Sequence, residues 1–143
     1  MSTGRQNVDA SQCAPGSDAD YHLSMDENGY YAGKHLLVDL IGASGLEDAE
    51  LVESALRECA QTARATVLHS YTHSFAPSGG ISAVVILAES HVSIHSWPEL
   101  GYAAIDIYMC GSVDPHAGIA SLERAFRPER TNVTEIRRGQ GEL

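Results

Sequence analysis

The chain has 143 residues, 43% of them apolar, which suits one domain with its own core rather than two. Nine Lys and Arg against nineteen Asp and Glu leave a net charge of −10, which argues against nucleic acid as a partner and suits a cationic ligand. There is no signal-like N-terminus and no apolar run near the roughly eighteen residues a membrane span needs, and Cys13, Cys59 and Cys110 form no spaced framework; the expectation is a reduced, cytoplasmic protein with no membrane partner.

Residues 1–30 carry one base and five acids in no periodic pattern and read as a flexible extension, with 31–143 as the domain. Lys34 to Leu40 predicts a strand. Ser44-Gly45-Leu46-Glu47 has the spacing of a capping box, and Val52, Ala55, Leu56, Cys59, Ala60 and Ala63 follow at helical spacing, which predicts a helix over 47–64 with Cys59 in its buried stripe. Thr66 to Phe75 predicts a second strand and Pro77-Ser78-Gly79-Gly80 a turn. Ile81 to Leu87, almost wholly apolar, predicts a central strand. Strands over 91–96 and 102–109 flank Trp97 to Gly101. Asp114-Pro115 opens a second helix, and a last strand follows over 132–137. The order β-α-β-β-β-β-α-β predicts an α+β, two-layer α/β sandwich: a mostly antiparallel sheet with helices on one face and the other face open for a site or an interface.

Strand parity sorts the chemistry. Ala103, Ile105, Ile107 and Met109 point one way, towards the helices, while Tyr102, Ala104, Asp106, Tyr108 and Cys110 point the other. His91, Ser93 and His95 share a face, and Ser82 is expected to share a face with Ser90. A surface strand could carry the polar residues of 89–99, but Glu89-Ser90-His91 directly after Val84-Val85-Ile86-Leu87-Ala88 is harder to account for that way. His91/His95 and His69/His73 have the i,i+4 spacing of helical zinc ligands, but in a strand four residues span about 13 Å, too far to share an ion bound at about 2 Å. No metal is expected. A serine hydrolase triad can be sorted on paper from Ser90, Ser93, His91, His95, Asp106 and Glu99, but the chain has no Gly-x-Ser-x-Gly elbow.

The run Glu89-Ser90-His91, Ile94-His95, Trp97-Pro98-Glu99, Gly101 to Asp106, Cys110-Gly111 and Asp114-Pro115 resembles the small prokaryotic form of S-adenosylmethionine decarboxylase. His73-x-Phe75-x-Pro77 and Gly33-x-His35-Leu36 fit as well, and the resemblance covers about 31–138. It implies a proenzyme that cuts itself between Glu89 and Ser90, giving a β chain of 1–89 and an α chain of 90–143. The Ser90 hydroxyl attacks the preceding carbonyl to form an ester, the ester leaves by β-elimination, and hydrolysis leaves a pyruvoyl group on the new chain end. That covalently bound pyruvoyl, the only cofactor expected, would form a Schiff base with S-adenosylmethionine and accept electrons as carbon dioxide leaves.

By the same resemblance, His95 and Ser82 assist self-processing and Cys110 donates the proton that completes decarboxylation, a task suited to a thiol of ordinary pKa near 8.5. Phe75 and Glu99 match positions that hold the substrate, by stacking or cation–π attraction and by a carboxylate. Family members pair as (αβ)2 dimers with sites at or near the subunit boundary. Two features depart from the family: the long extension, and an extra residue in the Gly79-Gly80 turn. Relatives with the same machinery decarboxylate arginine or ornithine, so these remain alternative substrates, and an unprocessed non-enzymatic homologue is the remaining alternative.

Overall fold

The computed structural model describes residues 23–111 and 113–143. Two short strands, β1 (Ser24–Asp26) and β2 (Gly29–Tyr31), pair with each other as a hairpin. The remaining elements are β3 (Gly33–Ile41), α1 (Ala49–Thr62), β4 (Val67–Ser74), β5 (Ile81–Leu87), β6 (Ser90–Trp97), β7 (Tyr102–Cys110), α2 (Ile119–Phe126) and β8 (Arg130–Arg138). Short 3-10 turns at Pro98–Leu100 and Pro115–Gly118 precede β7 and α2. The six long strands form one sheet in the order β4-β5-β6-β7-β3-β8, with every neighbouring pair antiparallel. This is the predicted two-layer sandwich.

One face of the sheet is packed. Leu36, Val38 and Leu40 of β3, Val92 and Ile94 of β6 and Ile105, Ile107 and Met109 of β7 meet Val52, Leu56 and Cys59 of α1 and Leu122 and Phe126 of α2, all of them buried. Each large side chain of this kind contributes roughly 1.5–3 kcal/mol when fully withdrawn from water. Cys59 is a core residue as expected, and burial, with Glu58 nearby, pushes its thiol up to about 12. The two helical segments approach closely because residue 118 is glycine: a Cβ there would collide with the sulfur and backbone of Cys59.

Two local expectations are corrected. The helix does not start from a Ser44–Glu47 box. Gly45 takes a left-handed φ of +75°, which cannot lie in a helical first turn, so capping passes to Asp48, whose carboxylate accepts the Leu51 N–H at 3.1 Å. Ser44 donates instead to the Phe126 carbonyl at 3.3 Å. β5 is also not central; β6 and β7 are. Its apolar character has another source: Ile81, Val85 and Leu87 are buried under the helices, whereas Ile86 is exposed on the opposite, open face.

That open face decides the rest. Cross-strand pairing lays Ile86, His91, Tyr108, His35 and Ile136 side by side in one row, and Tyr71, Val84, Ser93, Asp106, Leu37 and Thr134 in the next. Tyr71, Ile86, Leu37, Trp97 and Ile136 are all exposed there. These apolar side chains flank a strip of polar and aromatic ones formed by His91, Ser93, Asp106, Tyr108 and His35.

Candidate active site

The β5–β6 hairpin turns at Ala88-Glu89, with Leu87 and Ser90 as its last paired residues. Glu89 sits at φ +62°, a left-handed conformation that costs a non-glycine residue roughly 1–2 kcal/mol. The peptide bond between Glu89 and Ser90 is thus attached to a strained residue. The Ser90 hydroxyl oxygen accepts the Cys110 backbone N–H at 3.3 Å, and the Cys110 sulfur lies 3.7 Å from that oxygen and 3.9 Å from a Glu89 carboxylate oxygen. Residues twenty positions apart in sequence meet here because β6 and β7 are adjacent and antiparallel. Parity assigned Cys110 to the polar face; at the strand end it is in fact only 4% exposed.

Ser90 borders a cavity of about 670 Å³ whose other walls include His35, His91, Tyr108, Arg138 and Leu143. His35 and His91 meet edge to face, with ring centres 6.1 Å apart, and Tyr108 touches both rings. His35 Nε2 lies 3.7 Å from an Asp106 carboxylate oxygen. Desolvation lowers the pKa of His91 below the ordinary histidine value, and His35 lowers it further against the opposing pull of Asp106. Below about pH 6.5 the unfolded chain therefore takes up a proton that folded His91 resists, so stability falls as pH drops through that range. Thermal melting should drop on going from pH 7 to pH 5, and less so in His91→Asn; an equal drop in both proteins removes His91 as the cause.

The second group of site residues lies elsewhere. Ser82 and His95 are cross-strand neighbours, and the Ser82 hydroxyl is 2.9 Å from His95 Nδ1. A smaller cavity of about 200 Å³ is lined by both, together with Tyr71, His73 and Ser93. Phe75 is half exposed at the end of β4, its ring 4.6 Å from that of His73. Glu99 is exposed on the 3-10 turn after β6. The expectation that Ser82 and Ser90 share a face is overturned by the register: Ser82 pairs with His95 on the open face, while Ser90 alternates with His91 and pairs with Leu87. Five residues of extended β6 also separate Ser90 from His95, about 16 Å along the strand. One chain therefore holds Glu89, Ser90 and Cys110 at one end of the β6–β7 pair, and Ser82 and His95 on the open face towards the other end, with Phe75 and Glu99 beyond them.

Comparison with known proteins bears on this arrangement. Residues 34–139 match the family model described as S-adenosylmethionine decarboxylase. The chain belongs to the S-adenosylmethionine decarboxylase family. It is 41% identical over 108 residues to the S-adenosylmethionine decarboxylase proenzyme of Thermomicrobium roseum, covering 75% of this chain and 93% of that protein. The proenzyme of Methanococcus maripaludis is also 41% identical, over 110 residues, covering 75% and 89%. The crystal structure of the adenosylmethionine decarboxylase from Aquifex aeolicus superimposes with a TM-score of 0.65 at 32% identity, covering 74% of this chain and 89% of that one. The two-layer sandwich is thus the family fold.

Trp97 continues the parity of His91, Ser93 and His95, and its exposed indole stacks on Tyr102 at 5.3 Å, beside the turn that carries Glu99. That alternation was a usable signal. Arg138 and Leu143 had none, since only the folding-back of the last residues brings them to the Ser90 cavity. Among the described residues no three His, Cys, Asp or Glu side chains converge as a metal site requires.

Proposed function

We propose that this chain is a self-processing S-adenosylmethionine decarboxylase, cut between Glu89 and Ser90 into chains of 1–89 and 90–143. The observation that carries this reading is the junction itself. A strained Glu89 and a serine hydroxyl held by a backbone N–H border a cavity of about 670 Å³, with the Cys110 sulfur 3.7 Å behind that hydroxyl. The bond to the strained residue becomes an ester when Ser90 attacks, and the residue left at the new chain end is a pyruvoyl group already placed in the cavity. That group supplies an electrophilic carbonyl and an electron sink for decarboxylation of an amino acid. The net charge of −10 suits the sulfonium of S-adenosylmethionine.

Each of the chain's own residues has a task. His95, paired with Ser82, takes the proton whose removal drives ester elimination. Cys110 returns a proton to the substrate carbon after carbon dioxide has left. Phe75 and Glu99 hold the adenine, the ribose or the cation, with the exposed Trp97 beside them. The separation of about 16 Å along β6 prevents His95 from reaching Ser90 of its own chain. A second copy solves this. If two open faces pack about a two-fold axis near the row of Ser93, Asp106 and Leu37, the Ser82–His95 end of one lies over the Ser90–Cys110 end of the other, and the exposed apolar side chains of both are covered. An (αβ)2 assembly with two shared sites follows.

Intact mass measurement of the purified protein tests the processing, and carbon dioxide release from S-adenosylmethionine, arginine and ornithine tests the substrate. Two fragments and release from S-adenosylmethionine alone are expected; release from arginine or ornithine instead would move the protein to the alternative substrate class. The Cys110 role requires a thiol, so a reducing compartment such as the cytoplasm suits it. Cys110→Ala should be cut normally yet lose about a hundredfold or more in turnover. Decarboxylation by Cys110→Ala at the normal rate would remove it as proton donor.

A further inference from the structure

The β1–β2 hairpin precedes the span that matches the family, which begins at residue 34. It pairs with no strand of the main sheet. A two-stranded hairpin is marginal alone, so what it rests on determines whether it holds its place. Its turn is built locally: Asp26 accepts the Asn28 N–H at 2.7 Å, and Gly29 takes φ +105°, open only to glycine. The other contacts reach two flanks of the Ser90 site. The Ser24 hydroxyl donates to the carbonyl of Gly111, the residue after Cys110. Asp26, with its side chain only 18% exposed, pairs with Arg137 and accepts from the Gln140 amide at 2.6 Å. The Arg137 guanidinium also lies over the buried ring of Tyr31 at 5.2 Å, and the Ala32 N–H donates to the Arg138 carbonyl at 2.8 Å. Arg138, Gly139 and Leu143, on either side of Gln140, form a wall of the Ser90 cavity.

We propose that this hairpin is a positioning element for the substrate cavity, and that Asp26 is the positioning residue that holds the Arg138–Leu143 wall in place through Arg137 and Gln140. The use of that wall for substrate rests on the function proposed above. The wall borders the cavity without reaching the Cys110 sulfur, so loosening it weakens binding and leaves the chemistry alone.

In the full chain, Asp26→Ala should be cut at the normal rate and should raise KM for S-adenosylmethionine about fivefold to tenfold with kcat within about twofold. Gln140→Ala, which leaves the hairpin turn intact, should do the same, and the double variant should be no worse than either single one. Amide hydrogen exchange over 138–143, read in the uncut Ser90→Ala precursor with and without Asp26→Ala, tests the positioning without activity and should speed up about tenfold or more. Unchanged exchange over 138–143 overturns the proposal, as does an unchanged KM in Gln140→Ala. If the wild-type chain decarboxylates nothing, the proposed function fails, and the exchange measurement alone decides whether Asp26 holds the wall.

Discussion

Ser90→Ala should leave a single unbroken chain of 143 residues with no decarboxylase activity. The effect is all or none because the same hydroxyl serves twice: it is the nucleophile that turns the Glu89 peptide into an ester, and its carbon skeleton becomes the catalytic carbonyl. Alanine offers neither. Threonine could begin the acyl shift but would leave an extra methyl on the new chain end. The substitution removes a small hydroxyl at the end of β6, clear of the packed core, so the fold and the assembly should persist, as circular dichroism and size-exclusion chromatography would register. Cleavage of Ser90→Ala at the same bond, seen by intact mass, would refute the processing chemistry.

The second large effect comes from mixing two inactive proteins. His95→Ala alone should remain uncut, since the proton that drives elimination has no acceptor. Co-expressed with Ser90→Ala, the His95→Ala chain should be cut, because its own Glu89-Ser90 junction now faces the intact Ser82–His95 pair of the other copy. At equal expression random pairing places roughly half of the His95→Ala chains in such mixed dimers, so roughly half should be processed. The Ser90→Ala chain should never be cut. If mixed dimers form and neither chain is cleaved, the shared site is wrong; if His95→Ala is cleaved on its own at the normal rate, its role in processing is wrong.

The elements themselves were readable because periodicity is local. The alternation of 102–110 and the helical spacing of Val52, Ala55, Leu56 and Cys59 each report one buried face, and the structure buries those faces. Element ends were less legible. Ser44 and Asp48 both carry a suitable oxygen, and the choice between them turned on the left-handed Gly45. The motif around Glu89-Ser90, His95 and Cys110 was recognisable residue by residue, but its geometry was not. Strand spacing alone already kept His95 away from Ser90, but which residues of other strands lie beside each of them depended on strand order.

What the sequence determined alone is therefore the elements from β3 to β8 and the two-layer class, because each depends on neighbours within a turn of helix or a few residues of strand. Strand order and register, which no local pattern encodes, belonged to the tertiary structure. They brought Cys110 to Ser90, put Ser82 and His95 at the opposite end of the sheet, left an apolar face uncovered and folded the chain's last residues against the cavity. Those are contacts between residues distant in sequence, set by which strands lie side by side and not by what any one strand contains.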